Sequence, residues 1–278
     1  IADGTLSLDD TFVVSEKAWK KGGSRMFLDP GSTVSVRDLL KGIIVQSGND
    51  AAIVMAEGLS GSEDAFADEM NDKARELGMY NTVFRNATGW PDPDLTTTAY
   101  DLNLLATALI KNFPADKFPA LYPMFKIKNF TYNDIKQGNR NPLIYKDESA
   151  DGLKTGHTEE SGYGLVGSAL RGNQRIIMVL NGMSSKNERA QESRRLMDFM
   201  FREFKQYEFF DKDQEVDTAN VWLGNRTTIK LLADQDIYKT MSRKERRDLK
   251  VSLNWEDPVP APITKGQQIG TITLSYDD

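Results

Sequence analysis

Lys154-Thr155-Gly156-His157-Thr158, followed by Tyr163 to Leu170, a Gly172-Asn173 turn and Arg175 to Leu180, is the stretch that decides the fold. Two apolar runs joined through Gly-Asn predict an antiparallel hairpin. With a Gly152 turn before it and Gly162 after it, the Lys-Thr-Gly segment is expected to be a strand beside that hairpin. An amphipathic helix from Glu188 to Phe204 is then expected to pack Leu196, Phe199, Met200 and Phe204 against the sheet.

Upstream the pattern mixes helix and strand. Ser35, with Asp38 three residues on, caps a helix whose stripe of Leu39, Leu40, Ile43 and Ile44 stops at Gln46. A second apolar helix is predicted over Asp50 to Leu59, so Ser47-Gly48-Asn49 falls at a break between two helices, where polar side chains can face a cleft. Ser62 caps a third helix, stopped by Gly78, and Thr98 with Asp101 opens a fourth. Asn86 to Pro93 reads as a surface loop. Strand signals begin at Met124, with Phe125, Ile127 and Phe130 in a Lys/Asn-interleaved run.

Composition changes near Tyr207. Beyond it, short apolar runs separated by Gly, Asp, Asn and Pro suit a small all-β sandwich. The boundary is expected at about residues 206 to 212. This gives an α+β domain over 1–206 and a β domain over 207–278.

The 278 residues carry 35 basic and 41 acidic side chains, one His and no Cys. The composition excludes a thiol nucleophile, a disulfide framework and a thiolate or His-rich metal centre, and no metal or cofactor is implied. A net charge of −6 without a basic block gives no footing for nucleic acid. No run is long and apolar enough for a transmembrane helix, and no signal peptide is present. The chain opens on Ile1 and stops at Tyr276-Asp277-Asp278, and both ends read as cut.

Ser47-Gly48-Asn49 and Lys154-Thr155-Gly156 are each weak as tripeptides; their order and separation are informative. Together they point to a serine acyl-transfer enzyme whose working base is lysine. Lys154 would put an ammonium beside the nucleophile and Ser47, and Ser47 could relay a proton to the leaving amine. Asn49 could hold the peptide carbonyl. Thr155 offers a hydroxyl to a carboxylate, and Gly156 leaves room for an extended peptide to add to the strand edge.

These motifs, with Met26-Phe27-Leu28, Asp50-Ala51, Asn139-Arg140-Asn141 and the appended β domain, resemble the low-molecular-mass penicillin-binding proteins. The resemblance is to D-alanyl-D-alanine carboxypeptidases of the penicillin-binding protein 5/6 type, over nearly the whole chain. It implies a penicillin-recognising transpeptidase/β-lactamase-like domain, an antiparallel sheet flanked by helices, before the β sandwich. It implies hydrolysis of peptidoglycan pentapeptides through an acyl-enzyme, acylation by β-lactams, and a periplasmic enzyme held to the membrane surface by a C-terminal segment. By resemblance, Arg140 and Arg189 match arginines near the terminal carboxylate, and His157 orients the Lys154 strand.

The family nucleophile is the serine of a Ser-x-x-Lys motif, and no Ser here has Lys three positions on: Ser15 meets Ala18, Ser47 meets Asp50 and Ser242 meets Glu245. The resemblance puts the nucleophile helix shortly before the segment at Ile1 to Leu6. A D,D-endopeptidase, a β-lactamase and a non-catalytic peptidoglycan-binding relative stand as alternatives.

Overall fold

The computed structural model describes residues 1–276; Asp277 and Asp278, in the terminal stretch read above as cut, lie outside the described residues. The chain divides into two compact units, Ile1–Met197 and Asp198–Asp278, each described by itself.

In the first unit β1 (Thr11–Val13), α1 (Glu16–Lys20) and β2 (Thr33–Ser35) come first, with β1 and β2 paired antiparallel. The chain passes from β2 straight into α2 (Val36–Lys41), because Ser35 stays extended and its hydroxyl accepts the Asp38 N–H. A single π turn, Gly42–Gln46, follows and ends at Ser47, a non-glycine residue with φ of 58°. Left-handed backbone at a serine costs on the order of 1–3 kcal/mol and is concentrated at functional sites. At once α3 (Asn49–Ser60) begins. Met26, Leu28, Leu39, Ala51, Ile53 and Val54 share the core that α2 and α3 enclose with the 26–28 segment.

Next, α4 (Glu63–Glu76) and α5 (Ala99–Asn112) start at Ser62 and Thr98, whose hydroxyls accept the N–H groups of Ala65 and Asp101. Removing the first cap by Ser62→Ala is expected to lower stability by about 1 kcal/mol. An earlier urea midpoint at unchanged slope would show it.

The strand expected from Met124 is corrected. Tyr122–Lys126 is a 3-10 turn with Pro123 in its first positions, burying Tyr122 and Met124, and the extended chain comes later as the hairpin of β3 (Asn129–Tyr132) and β4 (Ile135–Gly138). Proline is compatible with the first turn of a helix, and burial of Tyr122 and Met124 in the core decides for the turn over the weak alternation.

After the short α6 (Leu143–Lys146) come β5 (Ala150–Thr158), β6 (Gly162–Arg171) and β7 (Gln174–Met183), an antiparallel sheet in the order β5-β6-β7. The hairpin is the one expected, and Lys-Thr-Gly lies in the edge strand: Lys154 opposite Val166, Thr155 opposite Leu165, Gly156 opposite Gly164. On one face Leu109 and Ile110 of α5 pack with Leu153, Val166 and Ile177.

The long helix α7 (Lys186–Glu203) also forms, but its expected apolar stripe does not hold. Arg189, Ser193, Met197 and Phe201 are the buried residues, while Phe199 is 38% exposed and Phe204 already belongs to a strand. The buried line runs at four-residue spacing and starts with two polar side chains, so apolar periodicity misses it.

The second unit begins within α7, at Asp198, and continues through β8 (Phe204–Phe210), β9 (Glu215–Trp222), β10 (Thr228–Leu232), β11 (Ile237–Ser242), α8 (Arg243–Asp248), β12 (Leu249–Trp255), β13 (Val259–Pro260) and β14 (Gly270–Tyr276). Strands pair as β8 with β11, β12 with β14, and β9 with both β10 and β13. The sequence reading lacked α8, which rests on a Ser242/Glu245 capping box. Among the described residues no helix is long and apolar enough to cross a membrane.

Candidate active site

The two motifs meet where the π turn faces the edge strand. The Lys154 ammonium donates to Ser47 Oγ at 2.7 Å and to its neighbour's carbonyl, Thr155 O, at 2.8 Å. Burial, reinforced by the charges of Arg140 and Arg189, lowers the Lys154 pKa from 10.5 to about 8. Near neutrality this amine therefore both carries a proton and releases it readily, as a proton-transfer group should.

Asn49 opens α3 at the same break. Its backbone N–H donates to Ser24 O at 2.8 Å and its side-chain amide to Gly22 O at 2.9 Å. Ser47 and Asn49 are half-buried, whereas Gly48 and Asp50, which alternate with them, are buried. The turn thus presents its two polar side chains together.

Two guanidinium groups stand near Lys154. Arg140 Nη1 donates to Ser24 Oγ at 2.5 Å, and Arg189 Nη2 donates to Arg140 O at 3.1 Å. Arg189 is buried, its Nε has no partner, and among the described residues neither arginine pairs with a carboxylate. Desolvation lowers the pKa of both, and for Arg189 the nearby Arg140 charge adds to it. Three cationic groups without an acid among them form a site for an anion.

Along β5, Thr155 is buried and its hydroxyl has no hydrogen-bond partner among the described residues. Beside Gly156 the space is open: a methyl group there would meet nothing within 4 Å. His157 is exposed and lies against Tyr163, its cross-strand partner, with ring centroids 4.0 Å apart. Tyr163 in turn lies under the Arg189 guanidinium at 5.5 Å. Sequence reasoning missed Tyr163 and Ser24; neither carries a motif, and only the pairing of β5 with β6 or the return of the 22–28 segment brings them here.

A serine hydroxyl on a desolvated lysine, an open strand edge and two nearby arginines that pair with no carboxylate among the described residues are the equipment of a lysine-assisted acyl-transfer enzyme acting on peptides. The family model described as D-alanyl-D-alanine carboxypeptidase, peptidase S11, matches residues 1–185, and that of the penicillin-binding protein 5 C-terminal domain matches residues 204–278. D-alanyl-D-alanine carboxypeptidase DacC of Escherichia coli is 39% identical over 98% of this chain and 69% of its own length. DacF of Bacillus subtilis is 37% identical over 99% of this chain and 70% of its own. The crystal structure of penicillin-binding protein 5 from Haemophilus influenzae, 34% identical, superposes with a TM-score of 0.83 over 99% of this chain and 80% of that one.

The chain belongs to the D-alanyl-D-alanine carboxypeptidase family, the serine-type hydrolases of peptidase S11. The resemblance, the α+β fold with its appended β domain and the activity read from the motifs agree with these findings.

Proposed function

We propose that this enzyme removes the terminal D-alanine of peptidoglycan pentapeptides, with Ser47, Asn49 and Lys154 as its catalytic groups and Thr155, Gly156, Arg189, Arg140 and His157 as its binding groups. The observation that carries the reading is the 2.7 Å Lys154–Ser47 hydrogen bond within Coulomb reach of two arginines that pair with no acid among the described residues. The acylated residue is a separate serine, since Ser47 lacks the lysine three positions on.

In the reaction the serine oxygen attacks the carbonyl of the penultimate D-alanine. Its proton leaves through the lysine and Ser47 network and reaches the departing nitrogen, so D-alanine leaves as an amine rather than an amide anion, its carboxylate still ionised. Water then hydrolyses the ester. Thr155 and the arginines hold the free terminal carboxylate, and the peptide lies along Gly156 as an added strand. A β-lactam follows the first half alone, because its amine stays tethered to the acyl group.

Peptidoglycan lies outside the cytoplasm, which supports an extracytoplasmic location. We assign the enzyme to the periplasm at the outer face of the inner membrane, joined to it by a C-terminal segment. We also keep 1–206 as the catalytic domain and 207–278 as a separable β domain; two compact units and two distinct family models support the separability.

The test uses the full-length natural protein and a peptide ending in D-Ala-D-Ala. Release of one D-alanine per peptide, none from a D-Ala-L-Ala end, and a penicilloyl group on a peptide other than the one containing Ser47 are expected. Cleavage of a cross-linked dimer without free D-alanine would favour the endopeptidase, and acyl label on Ser47 would overturn its relay role.

A further inference from the structure

Asp50 directly follows the Ser-Gly-Asn triplet, is fully buried, and among the described residues forms no ion pair. Its charge is met by backbone alone. One oxygen accepts from Met26 N at 2.7 Å and Ala51 N at 2.9 Å; the other accepts from Met26 N at 3.0 Å, Phe27 N at 2.9 Å and Leu28 N at 3.3 Å. Phe27 has φ of 65°, which turns three consecutive N–H groups toward one point. Such a turn is an anion nest, occupied here by a side chain of the protein itself. A buried carboxylate with four backbone donors is a rigid joint, because releasing any donor strands a charge.

What the joint holds is the strand of chain that touches the reacting groups. Continuous with Met26–Leu28, residues 22–25 offer Gly22 O and Ser24 O to Asn49, Ser24 Oγ to Arg140 and Arg25 O to Gln137. Gly48 lets the joint close: a Cβ there would stand 3.0 Å from Asp50 Oδ1 and 3.2 Å from Met26 N.

We propose that Asp50 is a positioning residue for this active site, fixing the 22–28 segment so that Asn49 and Arg140 are both aimed at the substrate. It touches no substrate and acts through those two side chains. The inference rests on the proposed function and extends it to a residue outside the motifs.

A double-mutant cycle in the full-length protein tests it, with a peptide ending in D-Ala-D-Ala. Asp50→Asn keeps size and shape but turns a donor toward donors, and should lower kcat/KM on the order of tenfold while cooperative unfolding persists. In an Asn49→Ala background the same change should cost less than about threefold further, since both act on one linkage. Equal losses in the two backgrounds would mark a general structural role and overturn the proposal. Should Asp50→Asn fail to fold, Gly48→Ala, which keeps every hydrogen-bonding group, reads the same joint: full activity would overturn the proposal, and loss that vanishes beside Asn49→Ala would support it. An inactive wild-type protein would remove the proposed function and the positioning role together. An active wild type matched by Asp50→Asn would remove the positioning role alone.

Discussion

Replacing Lys154 by methionine in the full-length enzyme should slow D-alanine release and penicillin acylation alike, each by about 10³-fold. Methionine keeps the unbranched stem and fills the buried space, so the loss belongs to the amine that meets Ser47 Oγ at 2.7 Å. Both reactions need the same proton transfer, whichever acyl donor is used. Penicillin acylation at the wild-type rate would remove Lys154 from the chemistry.

The same substitution should make the 278-residue chain more stable at neutral pH. In the fold the Lys154 pKa is about 8, against 10.5 for the free side chain. Below pH 8 the lysine is protonated in both states and the folded state bears the cost of burying the charge, about 3 kcal/mol. Between pH 8 and 10.5 the unfolded chain holds a proton that the folded chain has lost, so wild-type stability rises with pH through this window. The advantage of Lys154→Met should therefore be full below pH 8 and gone near pH 10.5, as read by urea unfolding across that range. A constant advantage would mean that it comes from packing instead. A site that lowers stability in order to hold a poised base is a familiar cost of catalysis.

Arg189→Ala should lower D-alanine release from peptide by one to two powers of ten, while a small ester with a blocked carboxylate acylates the enzyme almost as before. A hydrogen bond from arginine to a carboxylate is worth roughly 1.5–3 kcal/mol, which sets that range. The ester has no carboxylate to lose. Arg189→Lys should rescue little, because a single ammonium cannot reproduce the planar pair of donors. Removing a positive charge beside Lys154 also raises its pKa, so the alkaline shift of the acylation profile is a second readout. Equal slowing of both substrates would move carboxylate recognition to Arg140.

Local chemistry was legible in the chain itself. Ser35, Ser62 and Thr98 bond to N–H groups three residues on, so the helix starts needed no tertiary information. The β6–β7 hairpin closes through two turn residues, Gly172 and Asn173, and its alternation is likewise a property of the segment. The pairing of Ser47 with Lys154 is not local, yet it could be inferred, because their motifs resemble those of a family.

What the sequence determined by itself was the helix starts at Ser35, Ser62 and Thr98 and the β6–β7 hairpin, whose partners lie within a few residues, together with the motif pair that names the chemistry. The tertiary structure alone decided the 3-10 turn at Tyr122–Lys126, the buried line Arg189-Ser193-Met197-Phe201 and the gathering of Tyr163, Ser24 and the two arginines around Lys154. The 3-10 turn buries Tyr122 and Met124 two residues apart, where a strand and a short helix compete and packing arbitrates. Arginine and serine carry no periodic hydrophobic signal, so their burial is invisible until strand register and helix packing enclose them. Even the lowered pKa of Lys154 has this origin: desolvation and neighbouring charge are properties of the folded surroundings, not of the residue.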